Sequence, residues 1–381
     1  MIERTKLLTQ IRDAFDVNRI VCLLGPRQCG KTTIARELWA QNGKKISDTG
    51  YFDLESPVDL EFLDNPELAL RPIEGLIVID EIQRRPELFP FLRYLHDQNL
   101  NQRFLILGSA SRDLINQSSE SLAGRISFIE ITPFNLKEID STENLWVKGG
   151  FPKSYLLNDK SSLDWRMDYV RTYIEHDLGA LGLNFDPNIL RKMWFMMANY
   201  HGQVFNFSEL AGSLGISSPT VKRYLSYLEA SFMIRVLQPW FENIKKRQVK
   251  SPKIYFRDSG ILHYFLGIHD ENSLRMSPKI GASWEGFALE QICRILRADS
   301  QECFFWATHN DAELDLLILK NGKKTGFEFK YNDAPKLSPS MKIAMETLGL
   351  DELNVIYPGE KSYALAQEVK VIGLRDYVGS K

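Results

Sequence analysis

Long apolar runs are missing from this 381-residue chain. No stretch approaches the roughly 18 residues needed to span a bilayer, so no membrane association is expected. The first residues, Met1-Ile-Glu-Arg-Thr-Lys6, lack the apolar core of an export signal. Cysteine is scarce. Cys22, Cys29, Cys293 and Cys303 are scattered and contain no Cys-x-x-Cys pair. That spacing reads as reduced thiols in a cytoplasmic protein rather than a disulfide framework. Net charge is only −2, and internal repeats and low-complexity tracts are absent. Hydrophobic residues make up 44% and charged residues 25%, ordinary values for a globular chain of two or three domains. The charge is uneven: residues 206–258 hold nine Lys/Arg against four Asp/Glu.

Against that background one run stands out. Gly25, Pro26, Arg27, Gln28, Cys29, Gly30, Lys31, Thr32 and Thr33 fit the pattern G-x-x-x-x-G-K-[ST] at each fixed position. The run follows an apolar stretch, Ile20 to Leu24, and opens a helical pattern, Thr33 to Trp39. Glycines let such a loop curl its N–H groups toward phosphates, and the helix N-terminus adds positive potential. Lys31 is expected on the β- and γ-phosphates of ATP, and Thr32 on Mg²⁺. Cys29 reads as a tolerated small residue, with a thiol switch as the alternative.

Leu76-Ile-Val-Ile-Asp-Glu81 reads as a buried parallel strand with acids at its carboxyl end, where α/β sheets place their ligands. Asp80 is expected to hold Mg²⁺ and Glu81 to activate the attacking water. A further strand, Arg103 to Gly108, ends in Ser109. Its hydroxyl either orients the attacking water or simply closes a strand. Arg125 precedes another strand, Phe128 to Ile131, and is placed to stabilise phosphoryl charge in a neighbouring subunit, or is a surface arginine. In this order of motifs the first 140 or so residues resemble the AAA+ ATPases. The resemblance implies a sheet ordered 5-1-4-3-2, a ring-like homo-oligomer, and Arg125 as a trans-acting finger.

The middle of the chain is harder to read. Gly149-Gly-Phe-Pro152 marks a turn, followed by an amphipathic helix from Leu163 to Leu178. One of Arg166 or Arg171 could reach nucleotide from a lid. Phe207 to Leu214 and Ser217 to Leu228 read as two helices broken by Gly215, with Ser218 as N-cap, which is a helix-turn-helix. Val221, Leu225 and Leu228 form its apolar stripe, leaving Thr220, Lys222 and Arg223 outward. Ile234 to Leu237 and Lys253 to Phe256 look like the strands of a wing. Lys245, Lys246, Arg247 and Lys250 lie at its tip. These seven residues are candidate DNA contacts, the alternative being a solvated or protein-binding surface.

Near the C-terminus, Asn321-Gly322 is a strong two-residue hairpin signal. Centred there, Asp315 faces Glu328 and Glu313 faces Lys330. Opposed carboxylates repel unless a cation lies between them. Asp315 and Glu328 are therefore either ligands of a divalent metal with Lys330 beside it, or hydrated acids on an exposed hairpin. The expected order is a helix carrying Glu285, three strands, a helix and a strand, αβββαβ. It resembles the core of PD-(D/E)XK nucleases. By that resemblance Asp315 and Glu328 bind Mg²⁺ or Mn²⁺, Glu285 assists, and Lys330 positions the nucleophilic water.

The whole chain resembles prokaryotic ATPases in which an AAA+-type module precedes the domain of unknown function 4143. Gly149 to Pro152, Tyr169 to Asp177, Lys250 to Gly260 and Trp306 to Asp315 carry that likeness. The expected fold is therefore multidomain α/β. Residues 1–140 would form the ATPase, 141–200 a helical linker or lid, 201–265 a winged helix, and 275–381 a restriction-endonuclease-like domain. The expected function is Mg²⁺-dependent ATP hydrolysis coupled to action on DNA. The alternatives are a nucleotide-controlled switch or assembly protein with partner-binding C-terminal domains, or a nuclease fold kept only for binding.

Overall fold

Continuous apolar strands build the N-terminal sheet because both of its faces are covered. In the computed structural model, residues 2–45, 48–98, 101–109, 122–174, 186–241, 249–308 and 312–381 are described. The chain packs as two units: 1–133 with 230–232, and 134–229 with 233–381. In the first, the strands are β1 (Ile20–Gly25), β2 (Tyr51–Asp53), β3 (Gly75–Asp80), β4 (Gln102–Ser109) and β5 (Ile126–Glu130). All pair in parallel in the order β2-β3-β4-β1-β5, the expected order read from the other edge. Alternation divides the side chains between two cores. Val21, Leu23, Val78, Leu105 and Leu107 meet the helices Thr5–Val17 and Lys31–Gln41. Ile20, Cys22, Ile77, Ile79, Phe104 and Ile106 meet the helix Leu88–Asp97. Each fully buried aliphatic side chain of this kind contributes about 1.5–3 kcal/mol.

The second unit opens with helices and continues into a sheet. The strands are β6 (Ile234–Pro239), β7 (Lys253–Phe256), β8 (Cys303–Ala307), β9 (Glu313–Lys320), β10 (Lys323–Phe329), β11 (Glu352–Tyr357), β12 (Tyr363–Ala366) and β13 (Val369–Gly373). Among the described residues they are ordered β12-β13-β11-β10-β9-β8-β6-β7. The helix Ile280–Leu296, strands β8 to β10, the helix Pro339–Leu348 and β11 give the expected αβββαβ succession. Asn321 and Gly322 both take positive φ, 53° and 74°, as a tight mirror-image turn requires. The β9–β10 register runs Lys320↔Lys323 through Leu316↔Phe327, which is the register the turn predicts.

Three details depart from expectation. The helix-turn-helix consists of Phe207–Leu214, with Gly215 left-handed at φ 67°, and Ser218–Ala230. The side chain accepting the Thr220 N–H belongs to Ser217, so Ser217 caps the second helix and Ser218 lies inside it. The hairpin β6–β7 forms, but it is not a free wing: β6 runs on parallel to β8 at Gln238↔Phe304, and all of β7 is buried. Arg166 is fully buried, its guanidinium donating to the carbonyls of Val147 and Gly260 at 3.3 and 3.1 Å. It is therefore a structural brace rather than a nucleotide contact.

Candidate nucleotide site and carboxylate–lysine cluster

The loop after β1 owes its shape to backbone that few side chains tolerate. Gln28 and Gly30 take φ of 61° and 103°, and a Cβ on Gly25 would overlap the carbonyl oxygen of Ile131. Lys31 is buried, its Nζ donating to the carbonyls of Gly25 and Pro26 at 2.9 Å each. Its helix directs an N-terminus at the loop. Asp80, at the carboxyl end of β3, is 2% exposed and hydrogen-bonded by the Thr32 hydroxyl. Burial raises its pKa despite that bond. A buried carboxylate short of positive charge, beside a threonine hydroxyl, is the donor chemistry of a Mg²⁺ site, so these residues fit the cation. Glu81 follows in left-handed backbone and accepts from the Gln83 amide. Ser109 pairs with Gly25 through the backbone, at the same sheet edge.

Cys29 is fully buried, with its thiol donating to the Ile131 carbonyl at 3.2 Å. Burial raises its pKa, which describes an inert thiol and not a switch. Arg125 lies at the start of β5, the edge of the sheet opposite the loop. It holds Asp97 with two hydrogen bonds, 2.8 and 3.2 Å. Two residues escaped sequence reasoning. Arg4 donates to the carbonyls of Cys29 and Thr132, at 3.2 and 2.9 Å, tying the loop to the segment after β5; nothing local marks it. Asp53 ends β2 opposite Asp80, and an acid ending a strand was a usable signal.

The second cluster gathers side chains from four elements. Asp315 on β9 and Glu328 on β10 are buried at 7% and 4% exposure. Lys330 Nζ lies 2.7 Å from Glu328 and 3.8 Å from Asp315. Asp315 Oδ2 also accepts the Phe329 N–H at 2.9 Å. Glu285, from the helix Ile280–Leu296, accepts the Tyr255 hydroxyl at 2.6 Å. Lys253 Nζ lies 3.5 Å from Glu285 and 3.9 Å from Asp315, and pairs with Glu313. The four predicted residues are thus brought together, and Glu313 pairs with Lys253 rather than with Lys330. Lys253 and Tyr255 were read only as wing strand. They share one face of β7, and that period-2 signal was present without pointing to a partner.

Charge in this cluster is crowded. Burial, then Asp315, pushes Glu328 up to about 8 against the pull of Lys330. Burial raises Glu285 to about 7, although Lys253 opposes the shift. Burial works against the Lys330 and Lys253 charges, but the surrounding anions outweigh it and hold both pKa values high. The oxygen donors suit a hard divalent cation. Among the described residues, however, no three acids, histidines or cysteines are already gathered around one metal position. Both Asp315 oxygens face ammonium groups instead.

A family model described as an AAA domain matches residues 17–140. Models described as domains of unknown function match 139–272 (DUF8612) and 280–377 (DUF4143). The uncharacterized proteins Rv2008c of Mycobacterium tuberculosis and Mb2031c of Mycobacterium bovis are each 44% identical over 98% of this chain and 84% of their own length. The chain belongs to this family, and in it the AAA domain precedes DUF4143. Uncharacterized protein MJ1544 of Methanocaldococcus jannaschii is 24% identical over 89% of this chain and 81% of its own. Among solved structures, the Walker-type ATPase PABY2304 of Pyrococcus abyssi is 16% identical at a TM-score of 0.49, covering 70% of this chain and 96% of that one. The Drosophila ORC structure bound to GC-rich DNA and Cdc6 is 12% identical at a TM-score of 0.21, covering 69% of this chain and 93% of that chain.

Within the AAA–DUF4143 protein, the glycine motifs that carry the family likeness pack on one another. The Asp258 carboxylate accepts the N–H groups of Gly150 and Ile261, at 2.7 and 3.0 Å. A Cβ on Gly260 would overlap the Lys148 carbonyl. These motifs therefore serve packing. Of the candidate DNA contacts, Lys222 and Arg223 are exposed on the second helix of the helix-turn-helix, and Thr220 is half-buried against Ser217. Lys250 is exposed; Lys245, Lys246 and Arg247 lie outside the described residues. Among the described residues no helix is long and apolar enough to cross a membrane.

Proposed function

We propose that the protein hydrolyses ATP at the loop 25–33 and acts on DNA through its second unit. The observation that carries the first part is the meeting of a curled loop, buried Lys31 and the Thr32–Asp80 pair at one sheet edge. In this reading loop N–H groups and Lys31 bind the phosphates, Thr32 and Asp80 hold Mg²⁺, and Glu81 takes the proton of the attacking water. Mg²⁺, when bound, supplies charge neutralisation on the phosphoryl oxygens. Ser109 stands beside the loop to orient that water. Arg125 lies at the end of the sheet opposite its own loop, which supports action in a neighbouring subunit of a homo-oligomer. To do so it must leave Asp97.

The proposed domains are 1–140 for the ATPase, 141–200 for the linker, 201–265 for the winged helix and 275–381 for the nuclease-like end. There, Asp315 and Glu328 would hold Mg²⁺ or Mn²⁺, with Glu285 assisting and Lys330 positioning water. Thr220, Lys222, Arg223, Lys245, Lys246, Arg247 and Lys250 would meet DNA phosphates. A second reading, a switch or assembly protein that binds without cutting, is favoured by the ammonium groups filling the carboxylate cluster. ATP turnover with Mg²⁺ tests the primary claim. Wild type should hydrolyse ATP and Lys31→Ala should not; equal turnover by both would remove the loop as the site.

A further inference from the structure

Lys253 is an unusual neighbour for a metal site. Its side chain is 4% exposed, and its Nζ is within ion-pair reach of Glu285, Glu313 and Asp315. Those carboxylates come from a helix and from β9, while Lys253 comes from β7, about 30 to 60 positions earlier. The ammonium also lies over the Phe305 ring, 5.6 Å from its centroid. Lys330 holds the far side of Asp315. Four carboxylates, Glu285, Glu313, Asp315 and Glu328, thus surround two ammonium groups, leaving an excess of two negative charges when all are ionised. One divalent cation carries that charge. The space beside Asp315 Oδ1 nevertheless belongs to Lys253. Two cations close together in a partly desolvated site repel strongly.

We propose that Lys253 is an internal counter-ion that holds the place of a divalent cation at the C-terminal cluster and must withdraw before one binds. The inference rests on the reading of Asp315 and Glu328 as metal ligands. It makes the DUF4143 site latched: the hairpin β6–β7 supplies the latch, and whatever moves β7 regulates metal access.

The test is Mn²⁺ binding to the full chain without nucleotide, followed by the electron spin resonance of free Mn²⁺. The variants are Asp315→Asn, Lys253→Met and Lys253→Met/Asp315→Asn. Lys253→Met should bind at least about tenfold more tightly than wild type, and the added Asp315→Asn should abolish the gain. Equal or weaker binding by Lys253→Met, with Asp315-dependent binding in wild type, overturns the latch and leaves the metal reading standing. No Asp315-dependent binding in either protein overturns both. Should Lys253→Met fail to fold, reductive methylation of wild type read by mass spectrometry decides. Lys253 labelling should rise several-fold when Mg²⁺ is added; unchanged labelling overturns the latch.

Discussion

The residues that would cradle phosphate occupy one unbroken run, Gly25 to Thr33, and much of their work is done by backbone. The residues of the C-terminal cluster come from positions 253 to 330, and their work is done by side chains. In the loop a single buried lysine meets carbonyl oxygens. In the cluster, two lysines meet four carboxylates. The first arrangement is shaped by turn geometry. The second is shaped by packing, and its two ammonium groups already offset half of its carboxylate charge. A pre-curled loop needs little rearrangement to bind, whereas a self-paired cluster must first break its own contacts. Under the proposed function, the two sites would therefore call for different kinds of activation.

Separating the two sites gives the largest expected effect. Lys31→Ala should lower ATP turnover by about 100-fold or more, as loss of a principal charge-stabilising group does. Mn²⁺ binding at the C-terminal cluster should be unchanged, and a parallel loss there would show that the sites are not separable. Next in size is the buried network behind the cluster. Glu290 joins Arg235, Arg257 and Arg294, and the arginines hold its pKa at about 2 despite burial. Glu290→Ala leaves buried guanidinium charge uncompensated and should cost about 3–5 kcal/mol in chemical denaturation of the second unit. A loss below about 1 kcal/mol would mean that the network is solvated in solution.

Arg125→Ala should reduce turnover while nucleotide affinity, measured by titration of a fluorescent ATP analogue, stays the same. Normal turnover would sink the trans-acting role. Acid stability offers a smaller and graded contrast. Burial lowers His201 to about 3 and His263 to about 4, so the folded second unit prefers both neutral. Their contribution is complete above the ordinary histidine pKa near 6.5 and falls as pH drops from there toward 4 and 3. Glu328 and Glu285, with raised pKa values, act in the opposite sense as pH falls, so the histidine effect is read as a difference: His263→Asn should lose less denaturation midpoint than wild type between pH 6.5 and 4. An equal loss in the two proteins would contradict the assignment. The smallest effect belongs to Lys222 and Arg223. Replacing both by Ala should weaken duplex DNA binding and reduce its salt slope by about 2, and unaltered binding would remove this helix from the interface.

The contrast between the sites also explains what could be read from the chain alone. The strand order came with the resemblance to AAA+ ATPases; the apolar runs themselves mark only buried parallel strands, closed by Gly25 in β1 and by Asp80 in β3. The β9–β10 register leading up to Asp315 and Glu328 followed from one turn, because Asn321-Gly322 leaves a two-residue hairpin a single register. Lys253 and Tyr255 did not follow. Their alternation with Ile254 and Phe256 defines two faces, but which face meets acids depends on how β7 packs far along the chain. Arg4 is the same case: a lone arginine before a helix gives no hint that it braces the phosphate loop. Ser217 displaced Ser218 as cap because adjacent serines compete for one geometry, which composition cannot decide.

The most direct measurement is cleavage of labelled single-stranded, duplex, forked and junction DNA with Mn²⁺, with and without ATP, comparing wild type with Lys330→Ala. The proposed function predicts cutting by wild type and none by the variant, with ATP altering the rate if the two units are coupled. No cutting of any substrate, under conditions where Mn²⁺ is shown to bind, would contradict a nuclease and leave an ATPase whose second unit binds partners.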